Sequence, residues 1–296
     1  MDIVKYVEES DKLPVSPIWG GDKEFEFMCV GYLDIAKAMG FELEKVSEQL
    51  SVVSPGQLET QEQMDALIKK RQFDYSLFEG QADWLKMMNR EWDWVPFKGG
   101  GCFGPLTIAS TILGTEKILR LSAKKPQFVE TLLDYITGFL IELAKMEEEI
   151  GQDFFWIAEP MASLYAPRKI WQFSGQYLKR IFNSIEAPGM LHVCGNTTKH
   201  TRNLIRTGAK VLSIDYCTDL KECMEIASEE GAVIMGNVSP ILLREGTVEE
   251  VTREVQRILD ICKGYRNFVL STGCSIIDGT PVENMQVLFD LAKKYR

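Results

Sequence analysis

Short apolar runs alternate with longer amphipathic stretches through most of this chain, and the alternation becomes regular after residue 150. Each apolar run there has the length and composition of a buried strand, and each following stretch has apolar positions at helical spacing. The predicted strands cover 154–160, 189–194, 211–215, 232–237 and 268–274. The predicted helices cover 106–122, 126–149, 167–184, 198–207, 219–229, 248–262 and 281–294. Strands that alternate with helices predict a parallel sheet with right-handed crossovers.

The N-terminal region has a weaker pattern. We expect a short polar helix or arm over 1–12 and a first strand over 13–19, where two prolines suit a strand start or an edge. Apolar positions over 25–39 have helical spacing, and Gly40 then supplies a stop signal. The room from residue 19 to residue 40 is small for a full strand–helix unit. The sequence therefore predicts that the first or second unit is abbreviated or irregular.

Two further segments precede the regular part of the chain. Thr60 and Gln63 have the spacing of a capping box, which predicts a helix over 60–70. Residues 99–105 are rich in glycine and are interpreted as a turn. This stretch lacks the lysine and hydroxyl residues of a P-loop and the spacing of a dinucleotide-binding loop, so it is a weak phosphate-binding signal.

Five consecutive predicted strands end in a polar or metal-ligating residue, which bears on how the sheet closes. No dinucleotide-binding glycine motif follows the first strand, which disfavours a doubly wound open sheet. In a barrel the strand ends converge on one face, where barrel enzymes carry their chemistry. We therefore predict an α/β fold, a (β/α)8 TIM-type barrel that forms a single domain over 1–296. The strand-end residues are Glu159, His192 with Cys194, Asp215, Asn237 and Cys274.

Composition agrees with a globular enzyme and excludes some partners. The chain of 296 residues suits one large barrel domain, with 45% hydrophobic and 26% charged residues. A net charge of −10 argues against nucleic-acid or anionic-membrane partners, which favour basic surfaces. No apolar run reaches the roughly 18 residues that a membrane span needs, and the start of the sequence lacks an apolar signal core. We expect a cytoplasmic protein.

The cysteine content favours metal binding or catalysis over disulfides. The seven cysteines are odd in number and scattered, so a disulfide framework is not expected. Most of them are interpreted as small buried hydrophobic residues. Of the two histidines, His200 is interpreted as a solvated helix residue.

His192 and Cys194 are the strongest chemical signal. Residues i and i+2 of a strand face the same side, so an imidazole and a thiol would point to one place. These are preferred zinc donors, although a buried strand end with an inert cysteine explains the pair alone equally well. Cys274, at the end of the last strand, completes a set of three ligands with an open fourth position, which is typical of catalytic zinc. Glu159 is the candidate to fill or guard that position.

Such a site has a specific chemical use. Two thiolates make the metal less acidic than three histidines would. The site is therefore suited to binding a substrate thiol or alcohol and lowering its pKa. A bound thiolate is a nucleophile at neutral pH.

Several motifs of the chain carry a family resemblance. They occupy 104–107, 114–116, 159–163, 192–198, 213–215, 236–240, 273–274 and 280–284. On these residues the chain resembles the uroporphyrinogen decarboxylase superfamily, over residues 100 to 296. The H-x-C-G-N-T-T element at 192–198 and the late Gly-Cys pair resemble the corrinoid-dependent methyltransferase branch, which includes methylcobamide:coenzyme M methyltransferases.

The resemblance implies a (β/α)8 barrel that exchanges a methyl group between the cobalt of a corrinoid protein and a thiol or other small acceptor. It implies a zinc ion held by three residues: His192, Cys194 and Cys274. Glu159 would then be a resting fourth ligand or a proton acceptor. Asp215 and Asn237 would line the mouth of the barrel and hold hydrogen bonds around the ligands.

Two alternatives remain open at this stage. A porphyrinogen decarboxylase of this superfamily carries an arginine-rich N-terminal segment for the substrate carboxylates, but residues 20–24 contain no arginine and the first arginine is Arg71. Such an enzyme would be indifferent to Cys194→Ser. The other alternative is an inactive barrel that only binds a corrinoid or a partner protein.

Overall fold

A parallel sheet of seven strands forms the centre of the computed structural model, which describes residues 2–16, 25–48, 50–71 and 73–295. The order of its strands is β1-β4-β5-β6-β7-β8-β9, and a separate antiparallel hairpin consists of β2 and β3. The strand bounds are β1 Phe25–Val30, β2 Leu43–Lys45, β3 Ser51–Val53, β4 Phe97–Phe103, β5 Phe154–Ala158, β6 Gly189–Val193, β7 Val211–Ile214, β8 Val233–Val238 and β9 Phe268–Thr272. Each central strand pairs in parallel with its neighbour, as the repeated strand–helix pattern predicts.

Helices follow the central strands and cover the outside of the sheet. Their bounds are α1 Ile3–Glu9, α2 Tyr32–Ala38, α3 Gln61–Lys70, α4 Glu79–Glu91, α5 Pro105–Leu113, α6 Thr115–Lys124, α7 Pro126–Ile150, α8 Pro167–Ile170, α9 Gln176–Phe182, α10 Thr201–Ile205, α11 Leu220–Glu230, α12 Pro240–Glu245, α13 Val248–Ile261 and α14 Val282–Ala292. A π-helical turn, Trp171–Gly175, joins α8 to α9. The predicted capping box at the start of α3 is present, with both of its hydrogen bonds.

The segment before β1 supplies an eighth strand position. Val15 forms a parallel bridge with Leu270 of β9, and the backbone N–H of Ser16 donates to the Leu270 carbonyl at 3.0 Å. The strand predicted over 13–19 therefore exists in its first part, while 17–19 lie outside the described residues. Only residues 17–24 connect this segment to β1, fewer than the dozen or so of a usual crossover. The fold is a (β/α)8-type barrel whose first unit is abbreviated, as the sequence predicts.

Apolar side chains fill the inside of the barrel, and α1 packs against them. They alternate with outward-facing side chains along each strand and form one buried cluster. Its members are Ile3, Val7, Phe97, Phe154, Trp156, Met190, Val211, Val233, Met235 and Val269. Because the interior is packed, polar chemistry is confined to the ends of the strands.

Three sequence predictions need correction. Residues 25–30 form β1 instead of the start of a helix, because a short apolar run does not distinguish a buried strand from a helical turn. The glycines from residue 99 lie in β4 rather than in a turn. The helix predicted over 106–122 is divided at Gly114, which has a φ of +86°.

Close packing between strands explains the glycines of β4. A Cβ at Gly99 would lie 2.5 Å from the carbonyl oxygen of Phe154, and one at Gly101 would overlap the carbonyl of Trp156. Both aromatic side chains fill the barrel interior beside β4. Glycine is therefore required here by the neighbouring strand and not by a turn.

None of the helices in the described ranges combines the length and the apolarity that crossing a bilayer requires.

Candidate metal centre

Three predicted ligands meet at the mouth of the barrel. His192 lies on β6, Cys194 directly follows that strand, and Cys274 follows β9. Their ligand atoms all lie within 4.8 Å of one another. Cys194 Sγ is 3.3 Å from His192 Nε2 and 4.0 Å from Cys274 Sγ. The structure thus brings together one nitrogen and two sulfur donors from strands that are far apart in sequence.

These distances fit a tetrahedral zinc ion. With zinc–sulfur bonds of about 2.3 Å and zinc–nitrogen bonds of about 2.0 Å, tetrahedral angles put two sulfurs about 3.8 Å apart and a sulfur about 3.5 Å from a nitrogen. The observed separations of 4.0 and 3.3 Å are close to both values. Little movement of the side chains is needed to hold such an ion.

The two thiols are coupled by a hydrogen bond between their sulfurs. A hydrogen bond from Cys194, and then one from His192, lowers the pKa of Cys274 to about 4. The same contact with Cys274, together with burial, raises the pKa of Cys194 far above its ordinary value. Cys274 is therefore the more readily ionised sulfur of the pair. A divalent cation that binds both sulfurs would displace the protons that they carry.

Two neighbours orient the imidazole of His192. Its Nδ1 lies 3.0 Å from Ser213 Oγ, and its ring stacks on Trp156 with 6.0 Å between centroids and 14° between planes. These contacts turn Nε2 toward the sulfurs. The sequence pattern does not single out Ser213, which lies two residues before Asp215 on the same strand face and pairs with His192 in the sheet register.

Asp215 and Asn237 hold the loop that carries Cys194. The Asp215 carboxylate accepts from the backbone N–H of Gly195 at 2.8 Å. The Asn237 amide donates to the carbonyls of Asp215 and Thr218, each at 3.2 Å. Thr218 in turn donates from Oγ1 to the carbonyl of Gly195 at 3.1 Å. The ends of β6, β7 and β8 are thereby tied together around the sulfur of Cys194.

Glu159 is placed differently from the three ligands. Its side chain follows Phe155 and Ile157, which face outward to the helices, so the carboxylate lies under α5 and is fully buried. Its oxygens accept from the backbone N–H of Leu106 at 2.9 Å and of Thr107 at 3.1 Å. We expected this carboxylate at the open metal position, but the structure places both oxygens at the start of a helix.

The environment of Glu159 perturbs its ionisation. Burial raises the pKa of this carboxyl to about 7, although hydrogen bonds from Thr107, Leu106 and Ser174 act in the opposite direction. A carboxylate at a helix N-terminus satisfies free N–H groups and interacts favourably with the helix dipole. The geometry describes a residue that fixes α5 against the end of β5.

The structure corrects the prediction that His200 is a solvated helix residue. It is 6% exposed instead of solvated, and its Nε2 lies 2.8 Å from the carbonyl oxygen of Tyr165. The short helical turn after β6 buries it beneath the loop, so this histidine has a structural contact.

Gly273 positions Cys274, and this leads to a prediction. A Cβ on Gly273 would overlap the backbone of Tyr216 in the loop after β7. We expect Gly273→Ala to push Cys274 away from Cys194 and to weaken binding of a zinc ion at this candidate centre about tenfold or more, because ligand geometry must hold within a few tenths of an ångström. Competition with a chelator measures the change.

Gly80→Ala is the matched control, because a Cβ there meets nothing within 4 Å. Gly80 lies on the exposed face of α4, so this variant should bind zinc as the wild type does. Equal zinc affinity of the wild type and Gly273→Ala would contradict the positioning role of Gly273.

The sequence matches the family model for uroporphyrinogen decarboxylase (URO-D) over residues 24–295. Among curated proteins, it is 32% identical over 203 residues to a methylcobamide:CoM methyltransferase MtbA of Methanosarcina acetivorans, covering 67% of this chain and 58% of the relative. It is 31% identical over 183 residues to a uroporphyrinogen decarboxylase of Prochlorococcus marinus, covering 60% and 51%. The chain thus spans less than two thirds of the length of these relatives.

Solved structures show the same fold. A methyltransferase from Methanosarcina mazei superposes with a TM-score of 0.78 at 22% identity, covering 99% of this chain and 97% of that one. A B12-independent methionine synthase from Shewanella sp. W3-18-1 superposes with a TM-score of 0.53 at 14% identity, covering 87% and 75%. These identities support a shared fold only.

The family match spans nearly the whole chain, and the barrel has the predicted strand–helix order. The ligand cluster lies on the H-x-C-G element and the late Gly-Cys pair that carry the resemblance to the methyltransferases. This chain therefore belongs to the uroporphyrinogen decarboxylase (URO-D) family and, within it, resembles the methylcobamide:CoM methyltransferases.

Proposed function

We propose that this protein is a zinc-dependent methyltransferase that moves a methyl group between a corrinoid protein and a small thiol or other small acceptor or donor. One observation carries the proposal: an N,S,S ligand cluster lies at the mouth of the barrel in a chain similar to methylcobamide:CoM methyltransferases. Three protein ligands leave one tetrahedral position for a substrate atom. We also propose that residues 1–296 form a single domain.

The ligand residues would hold the metal and present the substrate. His192, Cys194 and Cys274 would bind zinc, which supplies Lewis acidity that lowers the pKa of a coordinated thiol. Asp215 and Asn237 would keep the Cys194 loop in place through the hydrogen bonds described above. The packed apolar interior below the ligands keeps water out from that side.

The reaction balances as a nucleophilic methyl transfer. The thiol proton leaves to solvent, and the substrate sulfur attacks the methyl carbon. A sulfur–carbon bond forms as the cobalt–carbon bond breaks, and both electrons of that bond remain on the corrinoid. The reverse direction uses the same groups.

Spectroscopy of free methylcobalamin tests this function. We expect the enzyme, supplied with methylcobalamin and a panel of thiols, to convert the methylcobalamin spectrum to that of cob(I)alamin under anaerobic conditions. Cys194→Ser should abolish the conversion. No conversion with any thiol, from protein that contains its metal, would rule out a thiol as the methyl acceptor.

Similarity to curated uroporphyrinogen decarboxylases favours one second candidate. Such an enzyme would release CO₂ from a porphyrinogen and would retain its activity in the Cys194→Ser variant. The same variant therefore separates the two functions. An inactive barrel that binds a corrinoid protein would give neither reaction, although it would still bind its partner.

A further inference from the structure

The hydrogen-bond partner of His192 has an unusual property for a metal-binding histidine. Such histidines ordinarily donate their second N–H to a carboxylate, a carbonyl oxygen or a water molecule. The carboxylate and the carbonyl oxygen can only accept a hydrogen bond. Here the group 3.0 Å from Nδ1 is the hydroxyl of Ser213, which is 1% exposed. A hydroxyl can both donate and accept a hydrogen bond. It can therefore donate to Nδ1 when that nitrogen has no proton, and accept from it when it has one.

The other nitrogen has different partners with and without a metal. Without metal, Nε2 is 3.3 Å from Cys194 Sγ, and in the tautomer that carries its proton on Nε2 this N–H would donate to the sulfur. Nδ1 then accepts from the Ser213 hydroxyl. With zinc bound, Nε2 must present a lone pair, so the ring proton has to be on Nδ1 and Ser213 becomes the acceptor.

The ring does not need to turn between these two forms. The parallel stack on Trp156 fixes the plane of the imidazole, and the Nδ1–Oγ contact fixes its direction. Pairing of His192 with Ser213 in the β6–β7 register sets the positions of both side chains. Only protons change place.

We propose that Ser213 is a positioning residue whose hydroxyl lets His192 exchange its tautomer when zinc binds, with no change in the direction of the ring. This inference rests on the zinc site of the proposed function. The exchange balances: one proton leaves Nε2 and one proton joins Nδ1. The thiol protons displaced by the metal leave to solvent.

Nitrogen NMR of the whole protein tests the proposal directly. The sequence contains two histidines, so protein labelled with ¹⁵N-histidine gives two ring systems to assign. We expect His192 to be protonated on Nε2 in chelator-treated protein and on Nδ1 after addition of zinc. His200 is an internal control, because its Nε2 faces the Tyr165 carbonyl and should carry the proton in both samples.

Two variants separate the hydroxyl from the packing around it. Ser213→Ala should raise the zinc dissociation constant about 10- to 100-fold, the usual effect of losing such a partner. Ser213→Thr keeps the hydroxyl and should restore zinc affinity to within a few-fold of wild type. Both are measured by chelator competition, with circular dichroism as the check on folding.

The outcomes are distinguishable. The same His192 tautomer with and without zinc overturns the inference, as does a folded Ser213→Ala variant with unchanged zinc affinity. If Ser213→Ala does not fold, the wild-type NMR comparison decides alone. Wild-type protein that binds no zinc in either experiment overturns the proposed metal site and not merely the role of Ser213.

Discussion

On the proposed function, replacing Cys274 with serine should abolish zinc binding and lower methyl transfer about 100-fold or more. Cys274 Sγ supplies one of three clustered donors, and its pKa is held at about 4 by neighbouring hydrogen bonds. A serine hydroxyl is rarely ionised and is a poor ligand for zinc, so only two protein donors would remain. Metal analysis of protein purified without added zinc should fall from about one ion per chain in the wild type to a trace in the variant.

Cys217→Ser is the matched control for this experiment. Cys217 lies in the neighbouring loop after β7, but it is exposed and outside the ligand cluster. Its thiol contacts Asp215 Oδ1 at 3.2 Å, which a serine hydroxyl can replace. This variant should keep its zinc and most of its activity. A Cys274→Ser protein that still binds one zinc tightly, or an active wild type without metal, would refute the assigned centre.

Glu147→Gln should make the protein more stable at neutral pH than the wild type. Glu147 lies on α7 and is fully buried against β4, where Gln81 donates to Oε1 and Oε2 has no hydrogen-bond partner among the described residues. Burial raises the pKa of this carboxyl well above its ordinary value, although the Gln81 hydrogen bond acts the other way. Glutamine has the same size and does not ionise.

The direction of the pH effect follows from proton linkage. The folded state keeps a proton on Glu147 that the unfolded chain releases above its ordinary pKa of about 4.5. The stabilising contribution of the protonated group is therefore complete below that pH. It is lost as pH rises toward the folded pKa, by about 1.4 kcal/mol per pH unit. The advantage of the glutamine variant should therefore grow as pH rises from 5 to 7.

Urea denaturation at pH 5, 6 and 7 measures this change. The difference in free energy of unfolding between variant and wild type removes contributions from other groups. Glu149→Gln is the control on the same helix, because Glu149 is exposed. Its difference from the wild type should be flat across this range. A flat difference for Glu147→Gln as well would show that the buried carboxyl does not keep its proton.

Much of the order of strands and helices can be predicted from the sequence, because it depends on the local pattern of apolar and polar residues. Apolar runs bounded by glycine and polar residues predicted β5 to β9, and the Thr60–Gln63 spacing predicted the start of α3. The N-terminal region was harder. In β4 the decisive factor is tertiary packing: Gly99 and Gly101 leave space for Phe154 and Trp156 of the neighbouring strand, and Gly100 leaves space for the Glu147 carboxylate.

The sequence by itself determined which residues stand at the ends of the strands, because strand periodicity and chain order are local properties. It therefore identified His192, Cys194 and Cys274 as a potential set of ligands, and the structure brings their ligand atoms within 4.8 Å. Only the tertiary structure decided where the other polar groups point. Packing of α5 over the end of β5 places its first N–H groups against the Glu159 carboxylate, and the β6–β7 register places Ser213 against the imidazole. Register and packing join residues that are distant in sequence, so no local pattern could reveal them.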